Sequence, residues 1–180
     1  MKSILTLIFL SVAVLVAGQT DSTQILIGAL KSVATMPYIC ERLDKSDCGD
    51  MAFWKVVERK AAIIPYLLAS IGDSTETAAN VPNFGGHYTV GDICYTALEE
   101  IIHGIPTFDI AGVKFDAEGC GYCSFWLYIR QPKNRELFKK GLKKWYDANK
   151  QNLEWVVSND FEVCDCGGIH PNGGHYQLKK

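Results

Sequence analysis

The chain has 180 residues and a formal net charge of −2 at neutral pH, and 48% of its residues are hydrophobic. This length and composition fit one globular domain with a sizeable buried core. The near balance of charges argues against a general nucleic-acid binder, because such proteins carry a strongly basic surface.

The first residues have the pattern of a signal peptide. One positive charge, Lys2, precedes an apolar run that closes with the small residues Ala17 and Gly18, and polar residues follow from Gln19. Such a segment is removed on export, although a run of about 20 apolar residues also suits an uncleaved membrane anchor. We expect a signal peptide over residues 1–18, then a single secreted or periplasmic domain over residues 19–180 without a transmembrane segment.

Seven cysteines in an exported chain favour disulfides. Cys94 falls on the apolar stripe of a predicted helix, so we expect a buried free thiol there. The other cysteines are then even in number: Cys40, Cys48, Cys120, Cys123, Cys164 and Cys166. Cys40 and Cys48 enclose a polar loop, and we expect a local disulfide between them.

Helical patterns follow one another along the first half of the chain. Residues 21–35 and 51–59 carry apolar side chains at helical spacing. An apolar helix is predicted over residues 63–71, and residues 89–102 predict a helix with one buried stripe and a capping box made by Thr89 and the acidic residue three positions later. The residues between these two helices predict a Gly-rich loop.

Two stretches of the chain resemble the paired helices of a HEAT-like repeat. They are Ile64-Pro65-Tyr66-Leu67-Leu68-Ala69-Ser70-Ile71-Gly72-Asp73 and Ala97-Leu98-Glu99-Glu100-Ile101. The resemblance covers about one repeat, is interrupted by residues 74–88 and has no second copy, whereas solenoids need roughly three repeats. It implies a helix-pair scaffold of the kind that contacts other proteins.

The second half of the chain predicts two more helices. Residues 105–115 are expected to be irregular or a short strand, and residues 124–130 a short helix. A longer helix is expected from Pro132 to Asn149, because proline suits the first helical turn. Its inward face is predicted to comprise Leu137, Phe138, Leu142, Trp145 and Tyr146.

The C-terminal residues have a different character. Residues 154–157 and 161–164 predict a β-hairpin, and the glycines after it predict a loop. The predicted fold is therefore mainly α, with HEAT-like packed helix pairs, a small C-terminal β-hairpin and a Cys-stapled tail within residues 154–180.

Cys120 and Cys123 form a pattern with cysteines and histidines of the tail, namely Cys164, Cys166, His170 and His175. Two cysteine pairs about forty residues apart suit a structural zinc site, with the histidines as substitute ligands. Export instead favours two cross-linking disulfides among the same cysteines. Either way, we expect the four cysteines to lie close together. The spacing of Cys120 and Cys123 also matches the motif of thiol-disulfide oxidoreductases, but the residues after it do not predict the remainder of that fold.

A short repeat, Pro-Asn followed by Gly-Gly-His-Tyr, occurs at residues 82–88 and 171–176. Glycine lets the backbone approach a ligand closely, and histidine is a metal ligand or proton carrier near neutral pH. If the two loops face each other, His87, His175 and His170 line one polar site. The alternative is a pair of Gly-rich turns whose His and Tyr side chains pack.

Charged residues are expected on helix surfaces. Glu99 and His103 are neighbours on one helix face, and with Glu100 they predict a hydrated surface. Residues 130–150 hold eight basic and two acidic side chains. Such a run is usually a hydrated face, and a basic amphipathic helix also suits weak contact with an anionic surface.

No sequence motif of a catalytic nucleophile, zinc protease or phosphate-binding loop is present. We therefore expect an exported interaction or scaffold module, without catalytic or cofactor-binding residues, stabilised by disulfides or structural zinc. Its expected partner is another protein. The alternatives are a metal-dependent enzyme that uses His87 and His175, and a thiol-disulfide oxidoreductase at Cys120 and Cys123.

Overall fold

A computed structural model describes residues 22–37, 49–81, 85–158 and 172–179. Helices predominate in these residues and are accompanied by two antiparallel strand pairs, so the mainly helical fold is confirmed. Within these ranges no helix combines the length and the hydrophobicity of a membrane span. The predicted signal peptide and the predicted Cys40–Cys48 disulfide lie outside the described residues, as do Cys164, Cys166 and His170.

Seven α-helices occupy the described ranges. They are α1 (residues 22–29), α2 (Met51–Val57), α3 (Ile64–Ser70), α4 (Val90–Ile101), α5 (Thr107–Ala111), α6 (Cys123–Ile129) and α7 (Pro132–Asn149). Short 3-10 turns lie at Leu30–Ser32, Lys60–Ala62 and Lys150–Asn152. The order of the predicted helices is confirmed, the first of them ends several residues earlier than predicted, and α5 is an additional helix.

Helix α5 corrects the prediction of irregular structure or a strand over residues 105–115. It is five residues long and ends at Gly112, whose backbone adopts a left-handed φ of 68°. Its Ile110 packs on Gly141 of α7, where an added Cβ would lie 2.8 Å from the Ile110 Cγ2 atom. A helix this short has little stability of its own, so contact with α7 explains why the local pattern did not reveal it.

Helix α4 lies at the centre of the molecule, and its predicted capping box is confirmed. The Thr89 N–H donates to Asp92 Oδ2 at 2.8 Å, and the Asp92 N–H donates to Thr89 Oγ1 at 3.2 Å. Every residue of α4 except Glu99 is buried. The predicted single stripe therefore underestimates how much of α4 is buried, because α2, α3 and both strand pairs contact this helix.

The first strand pair lies where the sequence predicts a Gly-rich loop. Strand β1 (Glu76–Asn80) pairs antiparallel with β2 (His87–Thr89). Inward and outward side chains alternate along β1, with Thr77 and Ala79 buried. The sequence of β1 has low intrinsic strand preference, so burial of Ala79 in the core better explains this strand than local propensity does.

The second strand pair joins β3 (Leu153–Val157) to β4 (Gly174–Leu178). The predicted loop at β4 is therefore wrong, and the predicted partner strand, residues 161–164, lies outside the described residues. Gly174 is needed for the pairing, because an added Cβ would collide with the Val156 carbonyl oxygen. Glycine at this position permits close approach of two strands, whereas the composition suggested a turn.

The inward face of α7 differs from the prediction at two positions. Phe138 and Leu142 are buried as expected, but Leu137 is 50% exposed and Arg135 is only 6% exposed. Leu137 lies about 100° around the helix from Phe138, which turns it towards solvent. The buried arginine belongs to the site described below.

The prediction for Cys94 is confirmed. The thiol is free and fully buried. Burial, followed by the nearby carboxylates of Asp73 and Asp92, raises the pKa of Cys94 to about 12. The side chain therefore packs as a small apolar group and stays protonated at neutral pH.

Candidate functional site

A cleft of about 460 Å³ opens between the β1–β2 pair and the junction of α6 with α7. Its apolar lining comprises Val81, Tyr88, Trp126, Leu127, Ile129 and Pro132. Exposed charged or titratable side chains also line it, namely Glu76, His87, Arg130 and Glu136. A concave, largely apolar surface with a few polar groups is the usual form of a ligand site.

A buried ion pair forms the base of this cleft. Arg135 Nη2 donates to Asp92 Oδ1 at 2.8 Å, and the two side chains are 8% and 11% exposed. Arg135 Nη1 also donates to the Ile71 carbonyl oxygen at 3.3 Å. Because the other Asp92 oxygen caps α4, this one carboxylate links the start of α4 to α7 and, through Arg135, to the end of α3.

The first copy of the Gly-Gly-His-Tyr repeat contributes one side of the cleft. Gly85 and Gly86 have φ values of 67° and 80°, which favour glycine, and an added Cβ at either would meet nothing within 4 Å. Tyr88 packs edge-to-face on Trp126 with ring centroids 6.1 Å apart. Burial, with a smaller effect of Asp92, raises the pKa of Tyr88. This copy of the repeat therefore borders a cavity.

The second copy of the repeat has a different neighbour. His175 of β4 stacks on His103, with ring centroids 3.6 Å apart and an angle of 12° between the planes. Burial lowers the pKa of His175, and its Nδ1 atom is buried without a hydrogen-bond partner. His87 lies in the other strand pair, so among the described residues no contact supports a site shared by His87 and His175.

For Cys120 and Cys123 the sequence favours cross-linking disulfides over a structural zinc site. In the structure their two sulfur atoms are bonded to each other, and their Cα atoms are 5.5 Å apart. Zinc binds cysteine as the thiolate, a form that neither residue has while bonded in this way. Among the described residues no group of three or more potential ligands is placed to hold a metal ion, and a contact of this pair with Cys164 and Cys166 stays a prediction.

The expected hydrated surface is wrong for Glu100, which is buried; Glu99 is only partly exposed, whereas His103 is exposed as expected. Glu99 Oε1 accepts hydrogen bonds from the Tyr95 hydroxyl and, at 3.4 Å, from Thr107 Oγ1. Burial raises the pKa of Glu99, while these two hydrogen bonds oppose that effect. Glu100 is only 7% exposed. The tertiary cover of α4, which its own spacing does not reveal, explains this difference.

Glu100 makes stability depend on pH. Burial raises the pKa of Glu100 from 4.5 to about 7. The unfolded chain therefore releases this proton at a lower pH than the folded protein, so the free energy of unfolding is greatest below pH 4.5 and decreases as the pH rises to about 7. The size of that decrease is about 3 kcal/mol, and the neutral variant Glu100→Gln should abolish it.

Urea unfolding of Glu100→Gln and the wild type at pH 5 and pH 8 measures this effect. We expect the variant to gain stability over the wild type at the higher pH, and we expect the exposed control Glu118→Gln to behave like the wild type. If the free energy of unfolding of Glu100→Gln changes between pH 5 and pH 8 as much as that of the wild type does, the result would contradict the burial of this carboxyl group.

The cleft is the candidate site because it brings together sequence features that lie far apart in the chain. Sequence patterns gave Asp92 a capping role and marked the Gly-Gly-His-Tyr motif as a candidate site, whereas they gave Arg135 and Leu127 no individual role. An arginine on the same helix face as Phe138 and Leu142 is the signal that indicates its burial. No family model, no curated protein and no solved structure matches the chain.

Proposed function

We propose that the protein is an exported, non-catalytic binding module that holds a segment of another protein in the cleft. The main support for the proposal is that the cleft combines an apolar wall with a rim that carries charges of both signs. A polypeptide segment presents the same combination, apolar side chains flanked by charged ones. Interface cores are likewise enriched in aromatic residues and arginine.

The apolar wall supports a partner that is buried on binding. Leu127 is 56% exposed, although it lies on the same helix as Trp126 and borders the same cavity. Covering apolar surface is worth about 25 cal/mol per Å², so a bound side chain would gain free energy here. Leu127 continues an apolar wall with Tyr88 and Trp126, and a contiguous apolar patch with a polar rim is typical of an interaction site.

The rim supports selectivity between partners. Glu76 and Glu136 carry negative charge, and Arg130 carries positive charge on the same opening. Mixed charges of this kind fix the orientation and register of a bound segment. They suit a partner with both signs of charge better than a simple anion or cation.

The scaffold around the cleft supports the proposal as well. Helices α3 and α4 pack against each other, and we infer that they act as a HEAT-like unit for protein contact. The Asp92–Arg135 pair holds the walls in place, so the cleft is preformed and a ligand loses less free energy in ordering it. The Cys120–Cys123 bond suits an oxidising compartment such as the periplasm or the cell exterior.

Selection from a displayed random-peptide library, followed by measurement of dissociation constants by fluorescence polarisation, tests the proposal. We expect peptides whose affinity falls at least about tenfold in Leu127→Asp, because a charge then replaces an apolar contact at the interface. The matched control is Ile25→Asp, which changes an exposed aliphatic side chain on α1 that does not line the cleft. We expect it to bind like the wild type.

Two results would overturn the proposal. One is that every selected peptide binds Leu127→Asp as tightly as the wild type, which would place binding elsewhere. The other is that a saturated selection yields no binder at all. Circular dichroism on both variants verifies that each is folded before the affinities are compared.

A further inference from the structure

One face of α7 carries three lysines in a row. Lys133, Lys140 and Lys144 follow one another at spacings of seven and four residues, which places them on one side of a helix with 3.6 residues per turn. All three are exposed, whereas Phe138 and Leu142 on the opposite side are buried. At a rise of 1.5 Å per residue, this lysine row is about 16 Å long.

Among the described residues, no lysine of the row forms an ion pair with a carboxylate. The two acidic residues of α7 pair with other lysines: Glu136 lies 3.9 Å from Lys139, and Asp147 contacts Lys143 and Lys150. In the part of the chain that the structure describes, no carboxylate lies within 4.0 Å of an ammonium group of the lysine row. The row therefore presents three positive charges to its surroundings.

An apolar side chain lies within the lysine row. Leu137 falls between Lys133 and Lys140 on the same face and is 50% exposed. In water, the exposure of the Leu137 side chain does not stabilise the protein. At a bilayer surface, an apolar side chain among lysines enters the boundary between headgroups and acyl chains.

We infer that the lysine row and Leu137 bind the surface of an anionic lipid bilayer. A lysine ammonium group is a point charge that needs no fixed partner geometry, whereas the arginine fork suits individual carboxylates, and the row contains no arginine. A bilayer offers a continuous plane of negative charge that a straight row contacts along its whole length. This complementarity of charge favours lipid over an acidic protein segment.

Each lysine near such a surface strengthens binding about fivefold, and the effect weakens at high salt. The combined contribution of the lysine row is therefore about 100-fold. The inference does not depend on the proposed function of the cleft, because no residue of the lysine row lines it.

Co-sedimentation with vesicles tests the inference. The purified protein is mixed with vesicles of phosphatidylcholine alone or with about 30% phosphatidylglycerol, at about 0.1 M salt. We expect binding only to the phosphatidylglycerol vesicles. The triple variant Lys133→Gln, Lys140→Gln, Lys144→Gln should lower the partition coefficient about 100-fold, and Leu137→Gln should lower it severalfold without a change in charge.

The matched control is the triple variant Lys139→Gln, Lys143→Gln, Lys150→Gln. It removes the same number of charges from α7 and its C-terminal turn, but from lysines that are already paired. We expect a clearly smaller loss than in the first triple variant, because these lysines already share their charge with Glu136 and Asp147. Because all variants share one N-terminus, any leader segment affects them equally.

Three results would overturn the inference. Equal losses in the two triple variants would show an effect of net charge alone. Equal binding to both kinds of vesicle would show that the anionic headgroup is not recognised. Failure to bind phosphatidylglycerol vesicles, with binding of poly-glutamate that depends on the lysine row, would assign the surface to an acidic protein. Peptide affinities in the cleft are measured separately, so failure here leaves that test intact.

Discussion

Replacing Asp92 with Asn is expected to lower the free energy of unfolding by about 3–5 kcal/mol, the range for breaking a buried ion pair. Asn is nearly isosteric with Asp and still accepts hydrogen bonds from Thr89, so the capping role is largely kept. The Arg135 side chain, which is only 8% exposed, is left without its carboxylate partner. An uncompensated charge in a poorly hydrated site is the main cost. Urea unfolding followed by tryptophan fluorescence measures it.

Two further variants separate the ion pair from other effects. Asp92→Asn combined with Arg135→Met should be more stable than Asp92→Asn alone, because the buried charge is then removed. Asp147→Asn breaks two ion pairs, with Lys143 and Lys150, but exposed ones, and should change stability far less. If Asp92→Asn proves as mild as Asp147→Asn, the Asp92–Arg135 pair does not carry a buried charge.

Replacing Gly91 with Ala is expected to destabilise the protein by about 3 kcal/mol, near the upper end of the usual cost of overpacking. An added Cβ would collide with the Ile71 carbonyl oxygen and would lie 2.8 Å from the Asp73 carbonyl oxygen and 2.7 Å from Arg135 Nη1. The first two are backbone atoms, which cannot move aside as a flexible side chain does. The Gly91 N–H also donates to Asp73 O at 2.8 Å, so the start of α4 cannot shift without losing this bond.

Gly28→Ala is the matched control, since Gly28 also lies in a helix but an added Cβ there meets nothing within 4 Å. Alanine has the higher helix propensity, so this variant should be as stable as the wild type or slightly more stable. Thermal unfolding of both variants measures the contrast. Equal midpoints for Gly91→Ala and Gly28→Ala would contradict the close approach of α3 to α4.

Features that depend on neighbours in the chain were predictable. The capping box joins Thr89 and Asp92, three residues apart, so its chemistry is legible in the sequence. The burial of Cys94 and Phe138 follows from helical spacing in the same way. Each of these predictions rests on one turn or one face of a single helix.

Features that depend on distant partners were not predictable. Asp92 and Arg135 are 43 positions apart, and neither residue signals the other in the sequence. The stacking of His103 on His175 depends on how β4 lies beside the end of α4. The repeated Gly-Gly-His-Tyr motif raised the possibility that His87 lies near His175, whereas in the structure His103 stacks on His175.

Most helices could be located from local sequence patterns, because capping residues, prolines and apolar periodicity act over a few residues. Which helix is enclosed, which strands pair and which side chains meet at the cleft depend on contacts between distant parts of the chain. Glu100 illustrates the reason. A carboxyl on a helix is hydrated by default, and its pKa rises only because other elements exclude water from it.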